Sequence, residues 1–361
     1  MNVSMTVEDL LAENQPHSLN ESDDIRIVVG HVTDLLDWTN LFLYQTKTDL
    51  FVADHPVGVE SRVQDVIQLL NNQHSKDSLL IGICGVAGVG KTTLAKAVYN
   101  RIRHDFEVAK CFLLNVGVVC EQDNGNVSLQ QRLHQKKTFL VFDDVNRVDQ
   151  FNALCGSFKW FGQGSKIIIT TRDRQILCNL QVDYVYQIKE MDDDESLELF
   201  SWHAFKQPSP IHGFAELSID IVKYCEGIPL FLQLIGSFLL ARTSKTEWES
   251  VLGKLGSAAG SDFAKLKINF EGLSDNCMKV FLDIFHFCIG MDQEDATKIL
   301  EEWRHRVDTG INVLVQQSLV TVDWMNKIRM HDLIELKGRE IMWELTKGVS
   351  NVRYGFLSGS T

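Results

Sequence analysis

The sequence is short of the features that mark secreted, zinc-binding and membrane proteins. Its eight cysteines are scattered, with no CxxC pair and no histidine at ligand spacing, which argues against a disulfide framework or a zinc site and favours a reducing compartment. The first residues are acidic and lack the basic and apolar blocks of a signal peptide. The most apolar run, Ile228 to Leu240, is too short to span a bilayer. We therefore expect a cytoplasmic chain, with the nucleus as an alternative location.

Positive charge and proline are also scarce. Asp and Glu outnumber Lys and Arg by 48 to 35, which gives a formal net charge of −13. Such a balance provides no electrostatic reason to expect direct binding to nucleic acid or to an anionic membrane. With 5 prolines and 45% hydrophobic residues among 361, the composition is that of an ordinary globular protein, and the length predicts several packed units.

The hydrophobic pattern divides the chain into an α/β part and a helical part. From Val57 onward, helical periodicity alternates with short continuous apolar runs, as in strands buried on both faces of a parallel sheet. Beyond about Met191 amphipathic helices take over, and one late hairpin is predicted where Ser318 to Val322 precedes Lys327 to Met330. The pattern predicts a doubly wound α/β domain followed by helices. The predicted strands are Leu79 to Cys84, Cys111 to Leu114, Phe139 to Phe142 and Ile167 to Thr170.

The strongest motif is a phosphate-binding loop. The run GVAGVGKTT from Gly85 to Thr93 matches GxxxxGK[ST] between a predicted strand and a predicted helix, which is the context that the motif requires. Its backbone N–H groups and the helix N-terminus can surround a phosphate, Lys91 adds a full charge, and Thr92 is placed to hold Mg²⁺. A glycine-rich turn with an incidental lysine is the alternative, which the flanking elements disfavour. The nucleotide-binding candidates in the loop are Gly85, Gly88, Val89, Gly90, Lys91, Thr92 and Thr93.

Two carboxylates follow the apolar strand Phe139 to Phe142. In P-loop proteins an acid at the end of a neighbouring strand binds the metal ion. We assign Asp143 to Mg²⁺ and Asp144 to polarising the attacking water, as the two catalytic candidates. Acids at a strand end are also common as solvated turn residues, and the nearby phosphate-binding motif is what favours a metal site.

A further buried strand, Ile167 to Thr170, is followed closely by Arg172. An arginine at this position can reach the γ-phosphate of a nucleotide and report whether that phosphate is present. The alternative is a surface arginine that pairs with Asp173 and contributes little to stability.

Several further segments occur in a fixed order. They are HPVGVESRVQDVIQLL from His55, the loop GVAGVGKTT, the strand FLVFDDV, GSKIIITTRD from Gly164, EGIPLFLQLIGSFL from Glu226, FLDIFHFCIG from Phe281 and MHD from Met330. In sequence and spacing they resemble the NB-ARC module of plant disease-resistance proteins of the TIR-NBS-LRR class. The resemblance covers residues 51–345, and an ordered set of motifs is more specific than any one of them.

The resemblance implies a domain organisation and a function. A P-loop nucleotide-binding domain would occupy residues 51–190, a helical domain 191–272 and a winged-helix domain 273–345, between the remnant of a TIR domain's last helix and linker at 1–50 and a tail at 346–361. Such a module closes around ADP at rest and opens and oligomerises with ATP, its partners being other receptor chains or signalling proteins. We expect hydrolysis to be slow, and we expect no NAD-cleaving TIR activity and no leucine-rich repeats.

The resemblance also assigns residues to the nucleotide. Val57 and Gly58 would lie near the adenine, and Pro229 would bound the base and sugar from the helical domain. Arg172 would sense the γ-phosphate, and His331 would contact the β-phosphate of ADP. From residue types alone, the turn before Pro229 would only start a helix, and His331 would be a histidine in a loop.

The chain also departs from the family pattern. The segment between residues 127 and 137 is shorter by a pair of helices, Gly117-Val118 replace an Arg-Glu pair, and Phe231 and Phe285-His286 stand where small residues are usual. Two other functions therefore stay open. One is a non-functional or decoy fragment of a receptor, and the other is a P-loop ATPase with ordinary turnover, although no acceptor-substrate site is indicated.

Overall fold

The computed structural model describes residues 49–71, 78–106, 108–112, 136–155, 161–257, 260–303, 307–323 and 326–347. All of them fall within one compact unit, Asp49–Thr361. The expected N-terminal helix, the pair Gly117-Val118, nearly all of the shortened segment and most of the tail lie outside the described residues. No helix in the described part is long and apolar enough to cross a membrane.

The α/β part contains a five-stranded parallel sheet in the order β2-β3-β4-β1-β5. Its strands are β1 Ser78–Cys84, β2 Val108–Phe112, β3 Thr138–Phe142, β4 Ser165–Thr171 and β5 Tyr184–Gln187. Its helices are α1 Val59–Asn71, α2 Lys91–Ile102, α3 Val148–Cys155 and α4 Arg174–Asn179, with a short 3₁₀ turn at Arg103–Asp105.

Burial explains why these strands read as continuous apolar runs. Every residue of β3 is buried, as are all residues of β1 after Ser78. Leu79, Ile81 and Ile83 alternate along β1 and face the cluster that α1 and α2 cover. A strand covered on both faces needs apolar side chains at every position. The predicted doubly wound α/β domain is therefore confirmed.

The order of the strands was not predicted from the sequence. β4 lies between β1, which precedes the phosphate-binding loop, and β3, which precedes Asp143. Parallel strands that are all buried carry the same apolar pattern, so the pattern does not specify which strands pair. The edge strand β5 was also missed, because it is only four residues long and alternates between half-buried and exposed positions.

The rest of the described chain is helical except for one hairpin. The helices are α5 Asp193–Phe205, α6 Ala215–Cys225, α7 Pro229–Leu239, α8 Lys245–Ser257, α9 Asp262–Glu271, α10 Asp275–Asp283, α11 Gln293–Trp303, α12 Val307–Gln316 and α13 Asp332–Lys347, with a π-helical turn at Ile284–Cys288 after α10. The strands β6 Thr321–Val322 and β7 Ile328–Arg329 pair antiparallel, which confirms the predicted hairpin.

One buried cluster runs through these helices and reaches the α/β part. Trp248, Phe200 and Phe281 are among its large buried side chains, and Ala87 of the phosphate-binding loop packs against it. Burial of apolar area on this scale is the main force that holds the helices together. The same cluster therefore fixes the helical part against the loop.

Two of the aromatic residues that depart from the family pattern are accommodated by this cluster. Phe231 is 1% exposed, and the Lys265 ammonium lies over its ring at 5.1 Å. Phe285 packs against α13 at Gly338, where a Cβ atom would lie 3.3 Å from the phenyl ring. The absence of a side chain at Gly338 thus leaves room for the ring.

Candidate nucleotide-binding site

The phosphate-binding loop connects the buried end of β1 to the start of α2. Gly88 and Gly90 have φ angles of 79° and 98°, in the left-handed region that favours glycine. Gly90 is the N-cap residue of α2. Because glycine has no side chain, no side-chain capping hydrogen bond is formed there. The first N–H groups of α2 are therefore available to an anion at the mouth of the loop.

Lys91 is folded into this loop. Its side chain is only 8% exposed, and Nζ donates to the backbone oxygens of Gly85 and Val86, both at 2.9 Å. Burial lowers the pKa of the Lys91 ammonium, and the neighbouring Arg172 guanidinium lowers it further. Two cations held this close favour an anion between them.

A chain of hydroxyl and carboxylate groups links the loop to β3 and β4. The Thr92 hydroxyl donates to one oxygen of Asp143 at 2.7 Å, and the Thr170 hydroxyl donates to the other at 2.5 Å. Asp143 is 7% exposed, and burial raises the pKa of its carboxyl. Because β4 lies between β1 and β3, Thr170 bridges the gap that the strand order creates. The sequence analysis did not single out Thr170.

The oxygen atoms of Thr92 and Asp143 suit a hard divalent cation. Mg²⁺ prefers oxygen ligands and is usually held by few protein groups together with phosphate and water. Asp143 is a buried carboxylate that accepts from two hydroxyl groups, and a metal ion would compensate its negative charge. The residues present therefore fit a magnesium ion.

Arg172 follows β4 and points to two acidic groups. Its Nε atom lies 3.4 Å from a carboxylate oxygen of Asp144, and its other arm forms an ion pair with Asp332. Asp173 is not its partner, because the Asp173 carboxylate caps α4 by accepting from the Gln175 N–H at 2.8 Å. The alternative of an isolated Arg172–Asp173 pair is therefore wrong.

Asp144 is held in an unusual backbone conformation. Its φ angle is 52°, and its N–H donates to the Thr170 hydroxyl at 2.8 Å. The conformation turns the chain directly after β3, so that Asp143 and Asp144 face different partners. One carboxylate meets the loop and the other meets Arg172.

The end of the hairpin brings two more residues to this edge of the sheet. Asp332 begins α13 and pairs with Arg172. Beside it, His331 accepts from the Leu333 N–H through Nδ1 at 3.2 Å. Burial lowers the pKa of His331 to about 4, and Arg172 and Lys91 lower it as well. The imidazole is therefore neutral at pH 7, and the charges of both cations act on its pKa.

The helical part contacts the loop through the start of α7. The Leu230 N–H donates to the Gly88 oxygen at 3.3 Å, and a Cβ atom on Gly88 would lie 2.8 Å from the Leu230 Cβ. Pro229 is the first residue of α7 and needs no N–H partner there. The predicted helix-starting turn is present, and it lies on the phosphate-binding loop. Leu230 was missed because its contribution is a backbone N–H.

Val57 and Gly58 lie at the start of α1. Gly58 has a φ angle of 67°, and its oxygen accepts from Arg62 at 2.6 Å. Arg62 forms a two-bonded ion pair with Glu195 of α5, with its shorter contact at 2.8 Å, and Val57 packs against the cluster of the helical part. The structure therefore places this pair between the α/β and helical parts. Arg62 lies within the segment that begins at His55, but no role was predicted for it from the sequence.

These features together define a P-loop NTPase. They are a glycine loop between a strand and a helix, a buried lysine, a hydroxyl–carboxylate pair and an arginine directly after the intervening strand. The fold agrees with this class. In the sheet, β4 lies between the strand that precedes the loop and the strand that precedes Asp143, and a hairpin with flanking helices follows in the helical part.

Comparisons with known proteins specify this class further. The NB-ARC domain family matches residues 59–116 and 118–210, and the winged-helix domain of Roq1-like disease resistance proteins matches residues 274–346. The chain is 35% identical over 334 residues to the disease resistance protein RPV1 of Vitis rotundifolia, covering 85% of this chain and 24% of that protein. It is 31% identical over 352 residues to the TMV resistance protein N of Nicotiana glutinosa, covering 89% and 30%.

A solved structure agrees in fold. A signal transduction ATPase of the STAND class with a tetratricopeptide repeat sensor, from Pyrococcus horikoshii, superposes with a TM-score of 0.53 at 17% identity, covering 81% of this chain and 44% of that one. The chain contains an NB-ARC domain and a winged-helix domain of the Roq1-like disease-resistance type, so the resemblance predicted from the ordered motifs is confirmed. It spans about a quarter of the length of RPV1.

Proposed function

We propose that this chain is the nucleotide-binding switch of a plant intracellular immune receptor, with ADP bound at rest and ATP bound when active. The observation that carries the proposal is the position of Arg172, which contacts Asp144 beside the phosphate-binding loop and Asp332 at the start of α13. One guanidinium thereby joins the phosphate site to the winged-helix domain. A switch needs a contact of this kind, because the nucleotide must influence a distant domain.

The phosphates would bind at the loop. The N–H groups from Gly85 to Thr93 would surround the β-phosphate, and Lys91 would exchange its contacts with the loop oxygens for phosphate oxygens. Thr92 and Asp143 would hold Mg²⁺. When bound, this ion supplies positive charge that offsets the negative charge of the phosphates. Asp144 would orient the water in a slow hydrolysis.

The base and the distal contacts would come from all three parts of the chain. Val57 and Gly58 would lie against the adenine, and Pro229 would bound the base and the sugar. Their positions beside the loop and the helical cluster support this assignment. His331 would donate from Nε2 to the β-phosphate of ADP, since its Nδ1 accepts from the Leu333 N–H. The effect of Lys91 and Arg172 on its pKa supports a position near the phosphate site.

The switch would depend on competition for Arg172. A ligand shifts a conformational equilibrium only through a difference in its affinity for the two states. ADP leaves Arg172 with Asp332, whereas the γ-phosphate of ATP is a stronger acceptor for the same guanidinium. Transfer of Arg172 to the γ-phosphate would release α13. The opened module would then contact other receptor chains or signalling proteins in the cytoplasm.

The nucleotide content of the purified protein tests this proposal. The full chain is purified without added nucleotide and denatured, and the released nucleotide is identified by chromatography beside a Lys91→Ala variant. We expect close to one ADP per wild-type chain and none in the variant. A folded wild-type chain without nucleotide would contradict the proposal, and an aggregated one would favour a remnant that does not switch. Phosphate release at roughly 10 s⁻¹, an ordinary enzymatic rate, would favour the ATPase alternative.

A further inference from the structure

A second cavity lies at the opposite edge of the sheet from the phosphate-binding loop. Its volume is about 570 Å³, and it lies between the ends of α1 and α2 and the beginnings of β3 and β4. The loop follows the carboxyl end of β1, so β4 alone, at about 3.3 Å per residue, separates the two sites by roughly 20 Å. The volume is within the range of small-molecule sites, which is about 300–1,000 Å³. This cavity has no part in the nucleotide site.

Two lysines share one aromatic ring in this cavity. The Lys137 ammonium lies 4.9 Å from the centre of the Phe106 ring, and the Lys166 ammonium lies 6.0 Å from it. Both side chains are half-buried. Lys137 also donates to the backbone oxygen of Asp105 at 2.8 Å, and Lys166 donates to the side-chain oxygen of Asn71 at 3.3 Å. The ring and these oxygens hold the two ammonium groups over the same opening.

The charge of Lys166 is incompletely balanced by the described residues. Within the described ranges, Lys166 forms no ion pair with a carboxylate, and its polar contact is the neutral amide of Asn71. Burial lowers the pKa of Lys166, and the charge of Lys137 lowers it further, whereas Asp105 acts in the opposite direction. The third cation of the lining, Arg101, is already paired with Glu60 at 2.7 Å. The two lysines therefore form the positive part of the cavity.

We propose that this cavity binds a small phosphate-bearing anion between Lys137 and Lys166, with Phe106 as its apolar wall. An ammonium group carries three donors, of which the Lys166–Asn71 contact uses one. A phosphate group bridging the two lysines would replace their mutual repulsion by two charge-assisted hydrogen bonds. The chain is acidic overall, at −13, so non-specific binding of an anion to the rest of the surface is disfavoured, and saturable binding would indicate a local cationic site.

Binding of inorganic tripolyphosphate to a Lys91→Ala chain tests the proposal. The Lys91 substitution removes the phosphate-binding loop as a competitor, so the result does not depend on the proposed switch. Calorimetric titration should give saturable binding that is at least 10-fold weaker in the Lys137→Gln, Lys166→Gln double variant. The matched control is Lys298→Gln, which removes an exposed lysine of α11 that pairs with Asp295 on the same helix, and it should bind as before. No binding to the Lys91→Ala chain, or equal binding by the double variant and the control, would overturn the proposal.

Single substitutions at Lys166 provide a test if the double variant does not fold, and vesicle binding identifies the source of the anion. If the double variant does not fold, Lys166→Arg should retain binding and Lys166→Met should lose it, and equal affinities of these two would overturn the proposal. Phosphatidylcholine vesicles with and without phosphatidylinositol phosphate distinguish a lipid headgroup from a free anion. Binding to either the vesicles or tripolyphosphate through the two lysines supports a phosphate site, and binding to neither rejects it.

Discussion

Arg172 and Asp332 form an ion pair across 160 residues of sequence, between the end of β4 and the first residue of α13. Both side chains are about two-fifths exposed or slightly less, so the pair by itself adds little to stability. Its importance lies in what else Arg172 touches, which is Asp144 beside the phosphate-binding loop. In the proposed switch, this contact would report on the nucleotide more than it would hold the fold together.

Replacing Asp332 tests this relationship. In Asp332→Asn the carboxylate that holds Arg172 is lost, while a side chain able to accept a hydrogen bond stays at the start of α13. We expect the share of bound ATP to rise at the expense of ADP, as measured by chromatography of the released nucleotides after incubation with both. Glu344→Gln, an exposed change on the same helix, is the control and should leave the ratio unchanged.

The matching change at Arg172 separates two explanations. Arg172→Gln also breaks the pair with Asp332, but it removes the proposed γ-phosphate contact as well. It should weaken ADP retention without any gain in ATP. If Asp332→Asn and the wild type show the same ratio of bound ATP to ADP, Asp332 does not stabilise the ADP-bound state.

Lys91 provides a second prediction, because its ammonium is enclosed by the loop. With Nζ held 2.9 Å from two backbone oxygens at 8% exposure, there is no space for the wider guanidinium of arginine. Lys91→Arg should weaken ADP binding by roughly 100-fold or more, the scale of a lost charged hydrogen bond of ~3 kcal/mol. A calorimetric titration measures this, with Lys298→Arg as control. Retained micromolar affinity in Lys91→Arg would show that the ammonium does not contact phosphate.

The phosphate-binding loop could be predicted because its parts are consecutive in sequence. A loop, its lysine and its hydroxyl need only one strand and one helix to position them, and each leaves a local pattern. Asp143 and Arg172 were recognisable for a related reason, since each follows an apolar run that ends at the same edge of the sheet.

The contacts between domains left no such signal. Arg62 with Glu195, Leu230 with Gly88, and Arg172 with Asp332 each join residues far apart in the chain. A backbone N–H such as that of Leu230 has no side-chain signature at all. The position of β4 between β1 and β3 was also hidden, because every buried parallel strand has the same composition. Only the resemblance to a family pointed to Pro229 and His331.

Asp143 leads to a third prediction, which concerns stability. Burial raises the pKa of this acid above its ordinary value, so the folded chain prefers the protonated form. With respect to this group, the nucleotide-free protein is therefore most stable below the ordinary pKa of 3.8 and loses stability as pH rises from there through the raised pKa of the folded chain. Asp143→Asn removes the buried charge and should raise the melting temperature at pH 7, by about 1–2 °C if the gain is ~1 kcal/mol.

The same substitution should remove the effect of magnesium. Wild-type protein with ADP should melt at a higher temperature when Mg²⁺ is added, and Asp143→Asn should lose that increment. The exposed change Asp54→Asn should behave as wild type in both respects. A lower melting temperature of nucleotide-free Asp143→Asn would show that the carboxylate stabilises the fold, contrary to its raised pKa.

His203 gives the last prediction, on acid sensitivity. It lies on α5 at 7% exposure, with its Nδ1 3.4 Å from the Ser237 hydroxyl and its ring edge-on to His55 at 5.4 Å. Burial, with smaller contributions from His55 and Lys206, lowers its pKa from 6.5 to about 4. The unfolded chain therefore binds a proton between pH 6.5 and 4 that the folded chain does not. Stability from this group is complete above pH 6.5 and is lost as pH falls towards 4, by at most about 1.4 kcal/mol per pH unit.

A glutamine at position 203 cannot take up this proton. The melting temperature of His203→Gln should thus fall less steeply than that of the wild type between pH 6.5 and 4.5, even if the variant starts lower at pH 7. Some acid sensitivity should persist, because the pKa of His331 is lowered to about 4 as well and acts in the same direction. His212→Gln, an exposed change, should follow the wild-type curve. Parallel curves for His203→Gln and the wild type would mean that His203 becomes protonated in the folded chain at its ordinary pKa, with α5 and α7 separating enough to hydrate the ring.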